Sequence, residues 1–298
     1  MKATLLPDRG VVKVAGDDAR TFLHGLISAD VLKLAPGEAR FAALLTPQGK
    51  IVADFFVVEA PAHNGGGFFL YVPRALAKTL TAKLNIYKLR SRVMVEDLSE
   101  TLGVLAIWND SVSPTAAAGL SFTDPRLPKL GLRILLPPHR AAEVTAHIGG
   151  TLVDQQEYEA HRIAHGIPRG GVDFMYGDTF PHESDMDQLG GVDFNKGCYV
   201  GQEVVSRMEH RGIARTRAVP VRYTGATPEA GAAVMAGERQ VGVMGSAAAG
   251  HGLALLRLDR VAEALAHGQS LAAGRTTLRP IKPEWAKFAF PDGFRAAE

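Results

Sequence analysis

The apolar positions change their spacing along the chain, and each spacing predicts an element. Val11-Val12-Lys13-Val14 is a short run of strand type. Gly16-Asp17-Asp18 follows, with acids where a helix dipole favours them, and Ala19, Phe22, Leu23, Leu26 and Ile27 then recur at helical spacing. Two apolar runs, 40–45 and 51–58, flank Thr46-Pro47-Gln48-Gly49-Lys50, which predicts an antiparallel hairpin. Residues 68–72 read as a strand. Pro73 suits the first turn of a helix whose apolar face carries Leu76, Leu80, Leu84 and Tyr87. Further strands are expected at 92–96, 103–107 and 132–136, with helices over 138–148 and 155–165. Between them, 109–130 is rich in Ser, Pro, Ala and Gly and reads as a long loop or a crossing between two lobes.

The pattern then breaks twice. Residues 166–191 are irregular and polar, and they carry Asp173, Tyr176, Asp178, His182, Glu183, Asp185 and Asp187. Polar segments of this length inside a domain serve function or are disordered. After Arg215 the runs 218–223, 233–236, 241–246 and 252–258 are short and separated by glycine turns. That predicts a small β-barrel or sandwich with a boundary near Thr216, so the expected domains are 1–215 and 216–298.

Composition narrows the class. A chain of 298 residues with 46% apolar content can bury a large core without staples. A net charge of +2 gives no general case for DNA or membrane partners. The single cysteine excludes an intramolecular disulfide and fits a reducing compartment. No secretory h-region opens the chain and no apolar run reaches about 18 residues, so a soluble cytoplasmic protein is expected.

That one cysteine lies in Asn195-Lys196-Gly197-Cys198-Tyr199-Val200-Gly201-Gln202-Glu203, just before a predicted short helix. Free N–H groups at a helix start favour a thiolate, Lys196 adds charge if it points the same way, and Gly197 and Gly201 allow close approach of a partner. The same spacing also suits an inert buried thiol. One cysteine cannot build a four-thiolate zinc or iron–sulfur site alone. His161 and His165 are spaced i, i+4, but no metalloprotease glutamate lies between them, and they read as a surface pair. Glu183 and the aspartates near it could accept an amine-rich ring or form a solvated acidic loop. Arg207, His210, Arg211, Arg215 and Arg217 form a basic cluster suited to a phosphate or polyglutamate, or simply to a helix end.

Lys196-Gly197-Cys198-Tyr199-Val200-Gly201-Gln202-Glu203 resembles the K-G-C-Y-x-G-Q-E signature of the YgfZ proteins and their mitochondrial counterparts. Gly166-Ile167-Pro168, Pro181-His182-Glu183 and Arg207-Met208-Glu209-His210-Arg211-Gly212 resemble the same family. So do Phe22-Leu23-His24-Gly25-Leu26-Ile27-Ser28-Ala29-Asp30-Val31 and Leu45-Thr46-Pro47-Gln48-Gly49-Lys50-Ile51, which are shared more loosely with the glycine-cleavage T-protein. The resemblance implies an α+β, T-protein-like fold: two α+β lobes with antiparallel sheets around a central folate channel, then a small C-terminal β-barrel. It implies a tetrahydrofolate-binding factor (with tetrahydrofolate or a one-carbon derivative as cofactor and no permanently bound metal) for assembling or repairing iron–sulfur clusters. Its partners would be assembly proteins or clients such as radical enzymes that thiomethylate tRNA. On this reading Cys198 and Lys196 are the chemical residues, and Asp173, Glu183, Tyr199, Gln202 and Arg207 are folate contacts. The alternative is an aminomethyltransferase of the glycine-cleavage type. Against it, Leu84-Asn85-Ile86-Tyr87-Lys88-Leu89-Arg90 holds no acid where the T-protein carries its catalytic aspartate, and Ala164 stands where many relatives have glutamate.

Overall fold

The computed structural model describes residues 1–109, 119–212, 214–290 and 295–296. The chain forms two compact units: Met1–Tyr158 with Leu189–Gln202, and Glu159–Gln188 with Glu203–Glu298. The expected boundary near Thr216 marks the first barrel strand, Thr216–Thr224. It is not the edge of the compact unit, because the polar stretch up to Gln188 belongs with the barrel. The expected lobe crossing at 109–130 falls partly outside the described residues. Its described end holds a strand, Leu120–Thr123, and a 3₁₀ turn, Pro128–Leu130.

The first unit contains two five-stranded sheets. One runs in the order Ala39–Leu45, Ile51–Glu59, Phe68–Pro73, Arg9–Ala15, Met94–Asp97, and each neighbouring pair is antiparallel. The expected hairpin is its first pair. Thr46 N–H donates to Lys50 O and Gly49 N–H to Thr46 O, both at 2.8 Å, and Gly49 takes φ +82°, where glycine has no Cβ clash. The other sheet runs Thr151–Leu152, Lys2–Leu5, Gly103–Trp108, Leu132–Leu136, Leu120–Thr123, and in it Lys2–Leu5 pairs in parallel with Thr151–Leu152.

The central strands Ile51–Glu59, Phe68–Pro73, Gly103–Trp108 and Leu132–Leu136 do not alternate buried and exposed, because both of their faces are covered. Phe55 and Val57 of Ile51–Glu59 join a core with Ala77, Leu80 and Leu84 of the helix Arg74–Lys88 and with Phe22 and Leu23 of the helix Ala19–His24. Phe56 points the other way and meets Phe122 of the second sheet edge-on, ring centres 6.3 Å apart. Leu105, Ile107 and Ile134 of the second sheet pack on Ala141 and Val144 of the helix Ala141–His147.

A charge cluster lies between the two sheets. Arg133, from the middle of an apolar strand, donates to Asp124 Oδ2 at 2.7 Å and to the Tyr158 hydroxyl. Arg126 forks onto both oxygens of Asp124 at 3.1 and 2.8 Å and covers the Phe56 ring at 4.8 Å. Burial alone would raise the pKa of the Asp124 carboxyl, but the two guanidiniums outweigh it and hold that pKa below the usual range.

The second unit carries a closed six-stranded barrel in the order Thr216–Thr224, His251–Arg257, Arg239–Ala248, Ala233–Ala236, Leu271–Ala273, Thr276–Lys282, closed by pairing of the first strand with the last. A helix, Leu258–Ala266, interrupts it and buries Val261 and Ala264. Neither this helix nor the two final strands follows from the spacing of apolar residues.

Candidate functional site

Three separated stretches of the first unit meet at the segment carrying Cys198. Lys196 Nζ donates to His24 O and Ile27 O, both at 2.6 Å. His24 ends a helix, the terminus at which the dipole favours a cation. Ser28 Oγ donates to Gly191 O at 2.6 Å, and Asp193 N–H donates to Ser28 O at 2.9 Å. Gly201 sits at φ +83°, and a Cβ on it would lie 2.4 Å from Thr46 O in the hairpin turn, so the segment closes onto the turn only with glycine. Tyr199 N–H donates to Gln202 Oε1 at 3.1 Å, and the helix Gln202–Arg211 begins there. Cys198 is exposed and forms no disulfide, which removes the buried-thiol alternative. The stretches around residues 22–31 and 45–51 thus brace one exposed thiol.

The neighbours of Cys198 have shifted acidities. Burial lowers the Lys196 pKa to about 8, against the opposing pull of Asp30 and Asp193. Its ammonium also lies 4.9 Å from the centre of the Tyr199 ring. Lys196 lends charge to the thiol only if its side chain points the same way, and its ammonium donates to two backbone carbonyls. Tyr199 buries a hydroxyl with no hydrogen-bond partner among the described residues, and burial pushes its pKa up to about 12. His24 joins the site: its Nδ1 lies 3.2 Å from Asp30 Oδ1, and its Nε2 lies 3.8 Å from the point a Gly197 Cβ would occupy. Burial, then the Lys196 charge, lowers the His24 pKa against the opposing pull of Asp30. Apolar spacing could not find His24 and Asp30, although both lie in a stretch singled out by resemblance.

Lys196 is expected to give one early-titrating lysine signal near pH 8 by carbon-13 NMR after reductive methylation, absent in Lys196→Met. The sign for stability follows from the lowered value. In the unfolded chain the group binds its proton up to about 10.5, so the charged ammonium destabilises the fold below pH 8. That cost fades between about 8 and 10.5, and this residue's contribution to stability rises with pH through the window.

The remaining expected contacts lie in the second unit. Asp173, expected as a folate contact, has its carboxylate taken up within the protein. It is buried, and both of its oxygens are committed: Oδ2 accepts from Arg162 at 2.9 Å and Arg169 N at 2.8 Å, and Oδ1 accepts from Ser246 N at 2.6 Å and Ser246 Oγ at 2.7 Å. Four bonds fill the carboxylate's acceptor capacity and leave none for a pterin. A register shift in the barrel strand between Met244 and Ala247 aims Ser246 at Asp173, and Gly245 must be glycine because a Cβ would lie 2.3 Å from Asp173 Oδ1. Glu183 takes Phe180 N–H on Oε2 at 2.8 Å, and no partner is described for Oε1. Arg207 forms an exposed i, i+4 pair with Glu203 at 2.6 Å. His161 and His165 meet edge-on, ring centres 4.6 Å apart. In the first unit a cleft of about 510 Å³ opens beside Arg40, Phe41, Phe122 and Asp124, and none of the expected folate residues lines it.

Comparison with known proteins fits this architecture. Residues 8–112 match the GCVT N-terminal domain family and residues 215–288 match the CAF17 C-terminal beta-barrel domain family. The chain is 38% identical over 239 residues to the mitochondrial iron–sulfur cluster assembly factor IBA57 homolog of Mycosarcoma maydis, covering 76% of this chain and 59% of that protein. It is 32% identical to the human mitochondrial iron–sulfur cluster assembly factor IBA57, covering 94% of this chain and 84% of that one. Its fold matches the crystal structure of glycine cleavage system aminomethyltransferase T from Bartonella henselae with a TM-score of 0.75 over 98% of this chain and 88% of that one, at 17% identity. The chain thus spans little more than half the length of the fungal relatives. Among the described residues no helix is long and apolar enough to cross a membrane. The relatives are named as mitochondrial, so they lend no support to the expected cytoplasmic location.

Proposed function

Because this chain belongs to the IBA57 family of iron–sulfur cluster assembly factors, we propose that it assists the assembly or repair of iron–sulfur clusters, with Cys198 as the group that touches the cargo. The observation that carries this reading is a single thiol, exposed, on a segment braced by Lys196, Ser28 and Gly201. A cluster takes four protein ligands, and this chain can offer one thiolate, so a partner supplies the others. The site is therefore a docking point for cargo shared with a client or carrier. Radical enzymes that thiomethylate tRNA are the client class we favour.

Tetrahydrofolate is the cofactor we assign. Glu183 Oε2 accepts from Phe180 N, and Oε1 offers an acceptor to an amino-pyrimidinone edge. Aminomethyl transfer is the weaker reading. The likeness to the T-protein at 17% identity is one of fold, and Asn85, Ile86 and Tyr87 place no acid on the end of the helix Arg74–Lys88.

The test has two arms. Supplied to cells lacking their own factor of this family, the chain is expected to restore the activity of cluster-dependent enzymes, and failure to do so removes the assembly reading. Titration calorimetry with tetrahydrofolate is expected to show binding that Glu183→Gln weakens at least about tenfold, the loss of a charged acceptor. No heat with the unaltered chain removes the folate assignment and leaves the assembly reading standing.

A further inference from the structure

The polar stretch before the cysteine segment builds a second cluster, within the unit that carries the barrel. His182, Asp187 and Glu209 each place one donor atom within 4.8 Å of the other two. His182 Nε2 and Glu209 Oε2 are 3.1 Å apart, the separation of two adjacent ligands on one ion with bonds of about 2.0–2.2 Å. The His182 side chain is buried, and that of Glu209 is 46% exposed, so the cluster has a solvent-facing side.

Asp187 is held rigidly. Arg217 forks onto it at 2.7 Å to Oδ1 and 2.9 Å to Oδ2, and Gln188 Nε2 adds a bond to Oδ2 at 2.6 Å. Oδ1 keeps a lone pair. Arg217 here does what partners behind a metal ligand commonly do, fixing the carboxylate without consuming it.

A second buried acid shares the guanidinium that holds Asp187. Asp185 is fully buried at φ +59°, a backbone region strained for any residue with a Cβ. Its Oδ1 shares the Arg217 guanidinium at 3.1 Å, while its Oδ2 is buried with no hydrogen-bond partner among the described residues. One guanidinium therefore faces Asp185 and Asp187, with Glu209 and His182 close by. Burial pushes the Asp185 carboxyl well above the usual carboxylate range, against the opposing pull of Arg217.

We propose that His182, Asp187 and Glu209 bind one divalent first-row transition-metal ion. One imidazole and two carboxylates suit zinc, iron(II) or manganese(II) better than the soft metals that thiolates select. The site uses no cysteine and stands whether or not the assembly reading holds. It replaces the sequence-based expectation of a chain without a resident metal.

The experiment titrates Co²⁺ (by absorbance) and Zn²⁺ (by calorimetry) into the full chain carrying Cys198→Ser, after chelation and dialysis, and repeats both with Glu209→Gln added. Glu209 is half-exposed on its helix, so this variant is expected to melt at the same temperature as its parent without metal. One equivalent of metal is expected to bind the parent and raise its melting temperature, and Glu209→Gln is expected to weaken binding at least about tenfold. No binding in the Cys198→Ser background, or a loss smaller than that in Glu209→Gln, overturns the proposal. Neither readout depends on cluster assembly.

Discussion

Cys198→Ala is expected to abolish rescue of cluster-dependent enzymes while leaving the melting temperature within about 1 °C of the unaltered chain. The two halves of that expectation have different causes. The thiol is exposed and its side chain makes no described contact that stability depends on, so its removal falls among surface changes, usually within about 0.5 kcal/mol. For cargo the chain has no second thiolate to offer, because it contains one cysteine. Cys198→Ser sharpens the result, since it keeps size and polarity but loses the soft donor. The measurements are the activity of a cluster-dependent enzyme in complemented cells and a thermal melt of each purified variant. Equal rescue by Cys198→Ala and the unaltered chain would falsify the role given to the thiol and favour aminomethyl transfer, which needs no cysteine here. A melting temperature lowered by many degrees would instead make Cys198 a structural residue.

Much of the architecture is legible in the sequence because it is local. The turn at 46–50 announces itself through Pro47 and Gly49, and the flanking apolar runs pair as expected in Ala39–Leu45 and Ile51–Glu59. The T-protein-like fold with a terminal barrel came from resemblance and is what the structure shows. What spacing could not give is pairing across long separations. Ser246 reaches Asp173 across 73 residues and His182 meets Glu209 across 27, and no periodicity encodes either contact. Asp173 looked available for a ligand because it sits in a polar loop, whereas the barrel strand and Arg162 consume it. The exposed thiol illustrates the reverse case. Motif resemblance picked out 22–31, 45–51 and 195–203 separately, and only the fold shows that they meet at one place.

Arg133 is the most misleading residue to a reader of sequence, and its cluster carries the largest stability effect. An arginine inside Leu132-Arg133-Ile134-Leu135-Leu136 reads as the solvent-facing position of a strand, yet it is fully buried. It and Arg126 share one carboxylate, Asp124, whose side chain is also fully buried. Asp124→Ala is therefore expected to lower the unfolding free energy of the first unit by about 3–5 kcal/mol, because two guanidiniums would remain out of water with no counter-charge. That is a large share of the roughly 5–15 kcal/mol that stabilises an ordinary domain. The Tyr158 hydroxyl cannot replace the lost charge, since burial pushes its pKa up to about 12 and keeps it neutral. The damage comes from breaking the set rather than from losing a source of stability. Replacing Asp124 with Leu together with Met at both 126 and 133 is thus expected to recover most of the loss, because the desolvation cost of all three charges disappears with them. Urea unfolding in a Trp285→Phe background, followed by the near-ultraviolet signal of Trp108 in the first unit, measures both variants. A single variant as stable as the parent, or a triple variant no better than the single one, would show that the cluster reaches water and that burial between the sheets does not govern its energetics.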